Sequence, residues 1–338
     1  MSTNELAVRV TAPSRLHFGL LAFGDWAPRQ FGGVGMMIDR PETAVLARLR
    51  RPNETPPEPR TDADRRARAF AEQFRQSVNS ADERERLRHV EIRVEKAATD
   101  HVGLGSGTQL AMAVGRALAS FIGKSDMPAV DLAQRVGRGR RSAIGVHGFH
   151  LGGFLVEGGK SEPSNVSPLV ARLNFPSDWP VVLVIPADSK GLHGRAEREA
   201  FEDLAPIPPA ITADLCRLTM LGILPAVAER DFPAFTESLT EFSRKVGACF
   251  AAQQGEQFFN PAAASVMEVL ATYGVRGVAQ SSWGPTLAVV ADSRFRAEWL
   301  AARLADTLAP NMSTIVCTTA NNHGAKIEIV DVPADSLN

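Results

Sequence analysis

The sequence predicts a globular α+β protein: one observation gives the fold class, and two more give the size and the globular character. Strand and helix patterns are mixed along the chain without the regular βαβ alternation of a doubly wound sheet. The 338 residues are enough for one large domain or two smaller ones. Hydrophobic residues make up 44% and charged residues 22%, which is ordinary for a globular protein that buries a sizeable core.

The first half of the chain combines short alternating segments with amphipathic helices. Alternation of apolar and polar residues, with many β-branched side chains, predicts strands over 6–11, 34–38, 43–49 and 89–97. The proline-rich, charged stretch 51–62 is predicted to be a loop. Apolar residues at helical spacing predict helices over 63–78, 106–122 and 129–136, and a short strand over 152–159 follows between glycine turns.

The second half begins with a continuous apolar run, 181–185, which predicts a buried strand. Three long helices are then expected, followed by a strand, a helix and a closing pair of strands. Their predicted ranges are 210–229, 232–253 and 261–273 for the helices, 285–291 for the strand, 294–308 for the last helix, and 313–319 and 325–332 for the strand pair.

Charge and cysteine content exclude several classes of protein. The formal net charge of −1 gives no reason to expect nucleic acid or an anionic membrane as a partner. The three cysteines, Cys216, Cys249 and Cys317, form neither a CxxC pair nor a zinc-binding spacing. The first residues lack the pattern of a secretory signal, and we expect no apolar run of membrane-spanning length. A cytoplasmic enzyme is therefore the expected class.

The stretch "HVGLGSGTQL", residues 101–110, predicts an anion site. It is neither a P-loop, which would need glycine at Leu118, nor a dinucleotide fingerprint, which would need glycine at Thr108. Glycines let a ligand approach the backbone, and the first N–H groups of a helix lack intrahelical partners. Alone, such a loop is equally well a structural turn with a serine cap. The predicted phosphate contacts are Gly103, Leu104, Gly105, Ser106, Gly107 and Thr108.

Three stretches together resemble the GHMP kinase superfamily. "HVGLGSGTQLAMAVGRAL" is similar to its phosphate-binding loop, "RRSAIGVHGFHLGGFLVEGG" to the segment that carries its catalytic aspartate, and "VAQSSWGPTLAVV" to its C-terminal glycine motif. With "APSRLHFGLLAFG" and "FGGVGMMIDRP" in addition, the order of motifs from about residue 10 to about residue 290 resembles the β-ribofuranosylaminobenzene 5′-phosphate synthase family.

The resemblance implies an activity and a fold. It implies condensation of 4-aminobenzoate, or a hydroxylated relative, with phosphoribosyl pyrophosphate, releasing CO2 and pyrophosphate, in the synthesis of tetrahydromethanopterin. It implies Mg²⁺ as cofactor and a homodimer. It also implies a two-domain GHMP-kinase-like fold, with an S5-like N-terminal α/β domain expected over 1–175 and a ferredoxin-like C-terminal α+β domain over 176–338.

Glycine stands where the superfamily's kinases usually carry their catalytic acid. Reading from Ser142, the pattern S-x-x-D-x-x-x-S/T-x-x-G-G becomes S-A-I-G-V-H-G-F-H-L-G-G, which places Gly145 at the aspartate position. Glycine cannot accept a proton from an attacking hydroxyl. Because some kinases of the superfamily also lack this base, an ATP-dependent small-molecule kinase stays the alternative, and a non-catalytic binding protein is a third possibility.

The remaining candidates are charged residues near these motifs. In the synthase reaction, cations would stabilise the departing pyrophosphate and orient the carboxylate. The predicted catalytic residues are Arg15, His17, Asp39, Arg141 and His147. The predicted substrate contacts are Arg40, Arg138, Ser142, Ser282 and Trp283. The tentative metal ligands are Ser106 and Asp39.

Each candidate has a plain structural alternative. Arg15 and His17 could be a solvated arginine and a core histidine at a strand end, and Asp39 with Arg40 could be a surface ion pair. The arginine-rich stretch 138–141, which includes Arg140, could be a solvated face. His147 and His150 have no third ligand at metal-binding spacing. Residues 189–201 could be a mobile flap or an exposed helix start, and Trp283 could stack on a substrate ring or on the core.

Overall fold

Two antiparallel sheets organise the chain, for which a computed structural model describes residues 5–51, 54–55, 57–162, 166–187, 205–254, 261–282, 284–308 and 313–332. Within these ranges the first sheet contains β1 (Glu5–Ala22), β2 (Phe31–Leu49), β3 (Val90–Lys96), β4 (Phe154–Glu157), β5 (Leu169–Leu173) and β10 (Lys326–Val332). Its strand order is β10-β1-β2-β4-β5, and β3 also pairs with β2.

The pairing of β1 with β2 changes register halfway, and this change decides which side chains face the helices. Before it, Val10 and Ala12 pack into the cluster beneath the helices. The register then shifts between Ala12 and Ser14. After it, Leu16 belongs to the cluster on the opposite face of the sheet. Because side chains alternate along a strand, Arg15 now points to the helical side.

Among the described residues, five helices cover that side of the sheet. They are α1 (Asp62–Gln76), α2 (Ala81–Arg88), α3 (Ser106–Phe121), α4 (Ala129–Arg135) and α5 (Ile144–Leu151). A capping box between Thr61 and Asp64 fixes the start of α1. The central helix is α3, in which most side chains are buried, as its run of alanine, valine and leucine predicts.

The second sheet consists of β6 (Val181–Pro186), β7 (Val278–Gln280), β8 (Leu287–Val290) and β9 (Ser313–Thr318), in the order β7-β8-β6-β9. The accompanying helices are α6 (Pro209–Leu218), α7 (Leu224–Glu229), α8 (Phe232–Gln254), α9 (Pro261–Thr272) and α10 (Arg294–Thr307). Both faces of β6 are buried, since Val181 and Leu183 pack towards the first sheet while Val182 and Val184 pack against α9 and α10.

Several expected elements differ in the structure. The strands expected over 34–38 and 43–49 are one strand, and the helices α2 and α5 and the strands β5 and β7 were not predicted. The closing strands do not pair with each other, because β9 joins β6 in the second sheet and β10 joins β1 in the first. The α+β class is confirmed. The predicted boundary after residue 175 stays a prediction.

The helix expected over 210–229 contains a π-helical turn, Thr219–Ile223, between α6 and α7. Pro225 explains the turn, because it has no N–H to donate to the carbonyl four residues earlier. Contrary to expectation, the stretch Pro209–Glu229 is long and apolar enough to cross a membrane by length and composition alone. Leu215 and Ile223 are nevertheless buried in the core between the sheets.

Candidate functional site

The glycine loop lies at the start of α3 with a backbone that requires glycine. Gly103 and Gly105 have φ values of 92° and 69°. A Cβ atom at Gly103 would lie 2.2 Å from the carbonyl oxygen of Ser281, so no side chain fits there. Thr108 and Gln109 donate the first hydrogen bonds of the helix to the Gly105 carbonyl. The N–H groups that precede them are the ones a helix leaves for an anion.

The C-terminal serine segment packs directly on this loop. The Ser281 hydroxyl donates to the Gly103 carbonyl at 2.7 Å and accepts from the His17 N–H at 3.1 Å. The Ser282 N–H donates to the His17 carbonyl at 2.8 Å. The structure therefore brings Ser282 next to the glycine loop and β1, while Trp283 lies outside the described residues.

Three arginines from separate parts of the chain converge on the first turn of α3. The Arg15 Nη1 donates to the Gly103 carbonyl at 3.4 Å, and a Cβ at Gly105 would lie 3.3 Å from the Arg15 side chain. A Cβ at Gly107 would lie 2.7 Å from Arg66 Nη2 and 3.6 Å from Arg138 Nη2. Guanidinium groups and helix N–H groups together form a strongly anion-attracting surface.

Asp100 organises one edge of this cationic surface. Its carboxylate accepts a hydrogen bond from the Ser106 hydroxyl at 2.7 Å and forms an ion pair with Arg66. Burial would raise the pKa of Asp100, but the hydrogen bonds from Arg66 and Ser106 outweigh burial and lower it. A hydroxyl and an ionised carboxylate are oxygen ligands of the type that Mg²⁺ takes beside substrate phosphates. Ser106 and Asp100 are therefore the two side chains at this edge that could contribute ligands to a Mg²⁺ ion.

The N-terminal end of α5 faces α3 where the catalytic acid of a kinase would lie. Gln109 Nε2 donates to the Gly145 carbonyl at 2.9 Å, and both residues are buried. A Cβ at Gly145 would lie 3.2 Å from Gln109 Nε2 and 3.4 Å from Thr108 Cγ2. The place where a kinase would carry its catalytic acid is thus lined by the Gly145 backbone and the Gln109 side-chain amide, and Gly145 contributes no acid there.

A buried histidine and a buried glutamate lie beside this position. His17 Nε2 and Glu157 Oε1 are 4.0 Å apart. Glu157 Oε2 accepts a hydrogen bond from the Ala143 N–H at 2.6 Å, immediately before α5. Burial lowers the pKa of His17 well below its usual value, and Arg15 lowers it further. Burial also raises the pKa of Glu157, despite the hydrogen bonds from Ser142 and Ala143 that lower it.

The other predicted residues of the α5 segment have mixed environments. His147 Nε2 lies 2.8 Å from the Ser167 carbonyl, and the Ser142 hydroxyl accepts from the Ile144 N–H. Arg141 is partly buried, whereas Arg140 and His150 are exposed. Lys160 is buried and lies 5.7 Å from the centre of the Phe31 ring. Burial lowers the pKa of Lys160, and Arg141 and Arg140 act in the same direction while Glu157 opposes them.

The structure places Asp39 and Arg40 elsewhere. The two carboxylate oxygens of Asp39 accept hydrogen bonds from Thr319 Oγ1 at 2.8 Å and Asn321 Nδ2 at 2.9 Å. The Arg40 N–H donates to Thr318 Oγ1. Both residues line an open cleft of about 600 Å³ beside β9 and β10. In the described part of the chain no hydrogen bond links Asp39 to the glycine loop, so the two tentative metal ligands are not brought together.

Four site residues were not predicted. Arg66 lies in a helix with several other arginines, so its sequence position carried no signal. Asp100 directly precedes the loop and could have been considered. Glu157 is the only charged residue of β4, which is otherwise apolar, and that contrast was a usable signal. Lys160 follows the same strand after two glycines. The expected flap, 189–201, lies outside the described residues.

Comparison with known proteins gives the family context. Residues 66–153 match the family described as GHMP kinases N terminal domain. Solved structures with the same fold include a homoserine kinase from Cytophaga hutchinsonii, with a TM-score of 0.65 and 16% identity over 95% of this chain and 97% of that chain. A mevalonate pyrophosphate decarboxylase from Streptococcus pyogenes also has a TM-score of 0.65, with 12% identity over 95% and 99% of the two chains.

Sequence relatives are more informative. The β-ribofuranosylphenol 5′-phosphate synthase of Archaeoglobus fulgidus is 33% identical over 337 residues, covering 95% of this chain and all of the relative. The protein of the same name from Methanothermobacter thermautotrophicus is 31% identical over 94% of this chain and 97% of the relative. The GHMP-kinase-like fold and the synthase resemblance are therefore confirmed, and the chain belongs to the β-ribofuranosylphenol 5′-phosphate synthase family of enzymes.

Proposed function

We propose that this protein joins a para-substituted benzoate to the ribosyl carbon of phosphoribosyl pyrophosphate and releases CO2 and pyrophosphate. The observation that carries the proposal is the convergence of Arg15, Arg66 and Arg138 on the first turn of α3, next to a glycine at position 145. Such a site is suited to stabilising a departing diphosphate, and it lacks the acid that would prepare a hydroxyl for phosphoryl transfer.

The chain's own residues would act mainly on the leaving group. As the bond between the anomeric carbon and pyrophosphate breaks, negative charge grows on the diphosphate oxygens. The N–H groups at the start of α3 and the Arg15 guanidinium would stabilise that charge, since both are already held in place by the fold. Mg²⁺ held by Ser106 and Asp100 would add positive charge at the same oxygens.

The acceptor is proposed to be 4-hydroxybenzoate, with 4-aminobenzoate as the second candidate. The relatives' name describes a ribosylated phenol, which is what remains when 4-hydroxybenzoate gains the ribosyl group and loses CO2. In either acceptor the para substituent pushes electrons towards the carboxylate-bearing carbon, which then attacks the anomeric carbon. Lys160 and Arg141, which lie close enough to influence each other electrostatically, are proposed to orient the carboxylate.

We further propose that the reaction serves the synthesis of a tetrahydromethanopterin-type one-carbon carrier, that the enzyme acts in the cytoplasm as a homodimer, and that it engages neither nucleic acid nor membrane. The family membership supports the pathway, and the formal net charge of −1 is consistent with small-molecule substrates.

The test is a direct comparison of products. Purified protein with Mg²⁺ and phosphoribosyl pyrophosphate should release equal amounts of CO2 and pyrophosphate when 4-hydroxybenzoate or 4-aminobenzoate is added. ADP formation from ATP with small-molecule alcohols, without pyrophosphate release, would instead support the kinase alternative. Binding of phosphoribosyl pyrophosphate without turnover of either acceptor would support a binding protein.

A further inference from the structure

We propose that His17 is the base that removes the hydroxyl proton of a 4-hydroxybenzoate acceptor, and that Glu157 positions His17 and balances its charge. The pair would thereby set the preference for a hydroxyl over an amino acceptor. This inference rests on the proposed condensation and assigns residues and acceptor selectivity within it.

The position of His17 on β1 carries the first step of the argument. Arg15 and His17 project from the same face of the strand, roughly 7 Å apart along it. Arg15 touches the glycine loop, where the diphosphate is proposed to bind. In the proposed complex the anomeric carbon is bonded to that diphosphate, and the acceptor has to reach this carbon to attack it. One step further along the same strand face, His17 is then on the side from which the acceptor would approach.

The second step of the argument is that His17 and Glu157 are buried with polar atoms that lack hydrogen-bond partners in the described part of the chain. Only 4% of His17 and 0% of Glu157 are exposed. Neither His17 Nε2 nor Glu157 Oε1 has a hydrogen-bond partner among the described residues, and at 4.0 Å they are too far apart to bond to each other. Buried polar atoms left in this state are costly, so two that face one another indicate a partner that arrives with the substrate.

Gly33 borders the gap between the two groups. A Cβ atom at that position would lie 2.8 Å from His17 Nε2 and 3.2 Å from Glu157 Oε1. Any larger residue would therefore press on both polar atoms. The gap is bounded on the helical side by the Ala143 N–H, which holds the other oxygen of Glu157. Both unpaired atoms thus border the same space next to Gly33, close to the Ala143 N–H that precedes α5.

The charged surroundings support the same roles. Burial and Arg15 lower the pKa of His17, so the imidazole is neutral and able to accept a proton at neutral pH. Glu157 is faced by Ser142 and Ala143 before α5, by His147 within α5, by Ser167, and by Lys160 beyond β4. These groups favour the ionised form of Glu157, although burial outweighs them and raises its pKa. When ionised, Glu157 can stabilise the imidazolium that forms as His17 takes up a proton.

The proposed step conserves atoms and electrons. The ring carbon that bears the carboxylate forms a bond to the anomeric carbon, and the bond from that carbon to pyrophosphate breaks with its electron pair. The hydroxyl proton passes to His17 Nε2, leaving a neutral dienone. Loss of CO2 then returns an electron pair to the ring, and the resulting phenolate takes the proton back from His17. With 4-aminobenzoate the intermediate is an iminium ion that keeps both protons, so no base is required.

The experiment compares two acceptors in one variant. In H17Q, kcat/KM with 4-hydroxybenzoate should fall by about 100-fold or more, the range expected for a general base. With 4-aminobenzoate it should fall by less than about 10-fold. Raising the pH towards the phenol pKa of about 10 should restore the hydroxybenzoate reaction, because the phenolate needs no base. Calorimetry should give wild-type affinity for phosphoribosyl pyrophosphate.

E157Q tests the positioning role separately. It should move the acid limb of the kcat/KM profile for 4-hydroxybenzoate to lower pH, because the anion that favours protonated His17 is gone, and it should lower the plateau. E157D should recover part of the plateau. If H17Q does not fold, as judged by circular dichroism, the shift of the acid limb in E157Q serves as the test of whether His17 acts as the base.

Outcomes against the inference are distinct from failure of the proposed function. Equal losses for both acceptors in H17Q, absence of rescue at high pH, or an unchanged acid limb in E157Q would each overturn the role of the pair while leaving the condensation intact. If the wild-type protein releases no pyrophosphate with either acceptor, the proposed function itself fails and the pair has no such role.

Discussion

Gly107 determines how closely Arg66 approaches the first turn of α3. A Cβ atom built at residue 107 would lie only 2.7 Å from Arg66 Nη2 and 3.6 Å from Arg138 Nη2. The missing side chain lets two cations reach the helix end. Asp100 forms an ion pair with Arg66 and accepts a hydrogen bond from the Ser106 hydroxyl, so it helps to hold Arg66 at this helix end. A methyl group added at residue 107 should therefore weaken anion binding and have little effect on the stability of the fold.

For Gly107→Ala we expect the dissociation constant for phosphoribosyl pyrophosphate to rise about tenfold, or ~1.4 kcal/mol, because Arg66 is displaced. Stability should stay equal or increase, because alanine is favoured over glycine in a helix by up to ~1 kcal/mol. Calorimetry and thermal unfolding measure the two effects.

Gly115→Ala in the same helix is the matched control. Its Cβ would meet Leu132 at 2.8 Å and Val136 at 2.9 Å, so it should destabilise the core by roughly 1–3 kcal/mol while leaving affinity unchanged. Wild-type affinity in Gly107→Ala would contradict the role assigned to Arg66.

At the scale of elements, β2 carries a buried cation that fastens the loop after it. Arg48 is only 6% exposed and pairs with Glu54 from the loop and Glu91 from β3. The Arg48 hydrogen bonds lower the pKa of Glu54 to about 2, with help from the Arg51 N–H. Burial raises the pKa of Glu91, so Glu91 takes up a proton at a higher pH than Glu54 does.

Glu54→Gln should therefore destabilise the fold in a pH-dependent way. Because the folded pKa of Glu54 is depressed, its contribution is present above its usual pKa of about 4.5 and is lost as the pH falls to about 2. We expect a loss of no more than ~1 kcal/mol at pH 7, since the side chain is 30% exposed. Urea unfolding of both proteins at pH 7 and pH 3 measures this. A difference that stays constant between the two pH values would contradict it.

For the molecule as a whole, the final strand ties the two sheets together. After β9 in the second sheet, the chain returns and β10 pairs with β1 from Glu5↔Val332 to Thr11↔Lys326. The first sheet is thus completed only when the end of the chain is in place. The Ser281 contacts with Gly103 and His17 form a second link between the halves.

Removal of residues 326–338 should lower the melting temperature by at least about 5 °C and promote aggregation, because the edge of β1 becomes exposed. In the full-length protein we expect one cooperative transition, with tryptophan fluorescence and far-ultraviolet circular dichroism changing together. Two separated transitions, or an unchanged melting temperature after truncation, would argue against this link.

Local pattern was enough to predict α3, the burial of both faces of β6 and the glycine loop at the start of α3. Sequence could not predict α5, whose glycines and histidines have low helix propensity, because packing against α3 decides its conformation. The partners of β9 and β10 depend on contacts between distant parts of the chain. For the same reason Arg66 escaped notice, and the contacts of Asp39 with Thr319 and Asn321 could not be predicted.

The register shift in β1 imposes a constraint on any redesign of the strand. In regular alternation two residues that are three apart lie on opposite faces, yet Ala12 and Arg15 face the same side. Straightening this irregularity without changing the number of residues would turn Arg15 and His17 into the apolar cluster and present Leu16 and Phe18 to the helices. The composition of β1 can thus be varied, but the irregularity between Ala12 and Ser14 has to be kept.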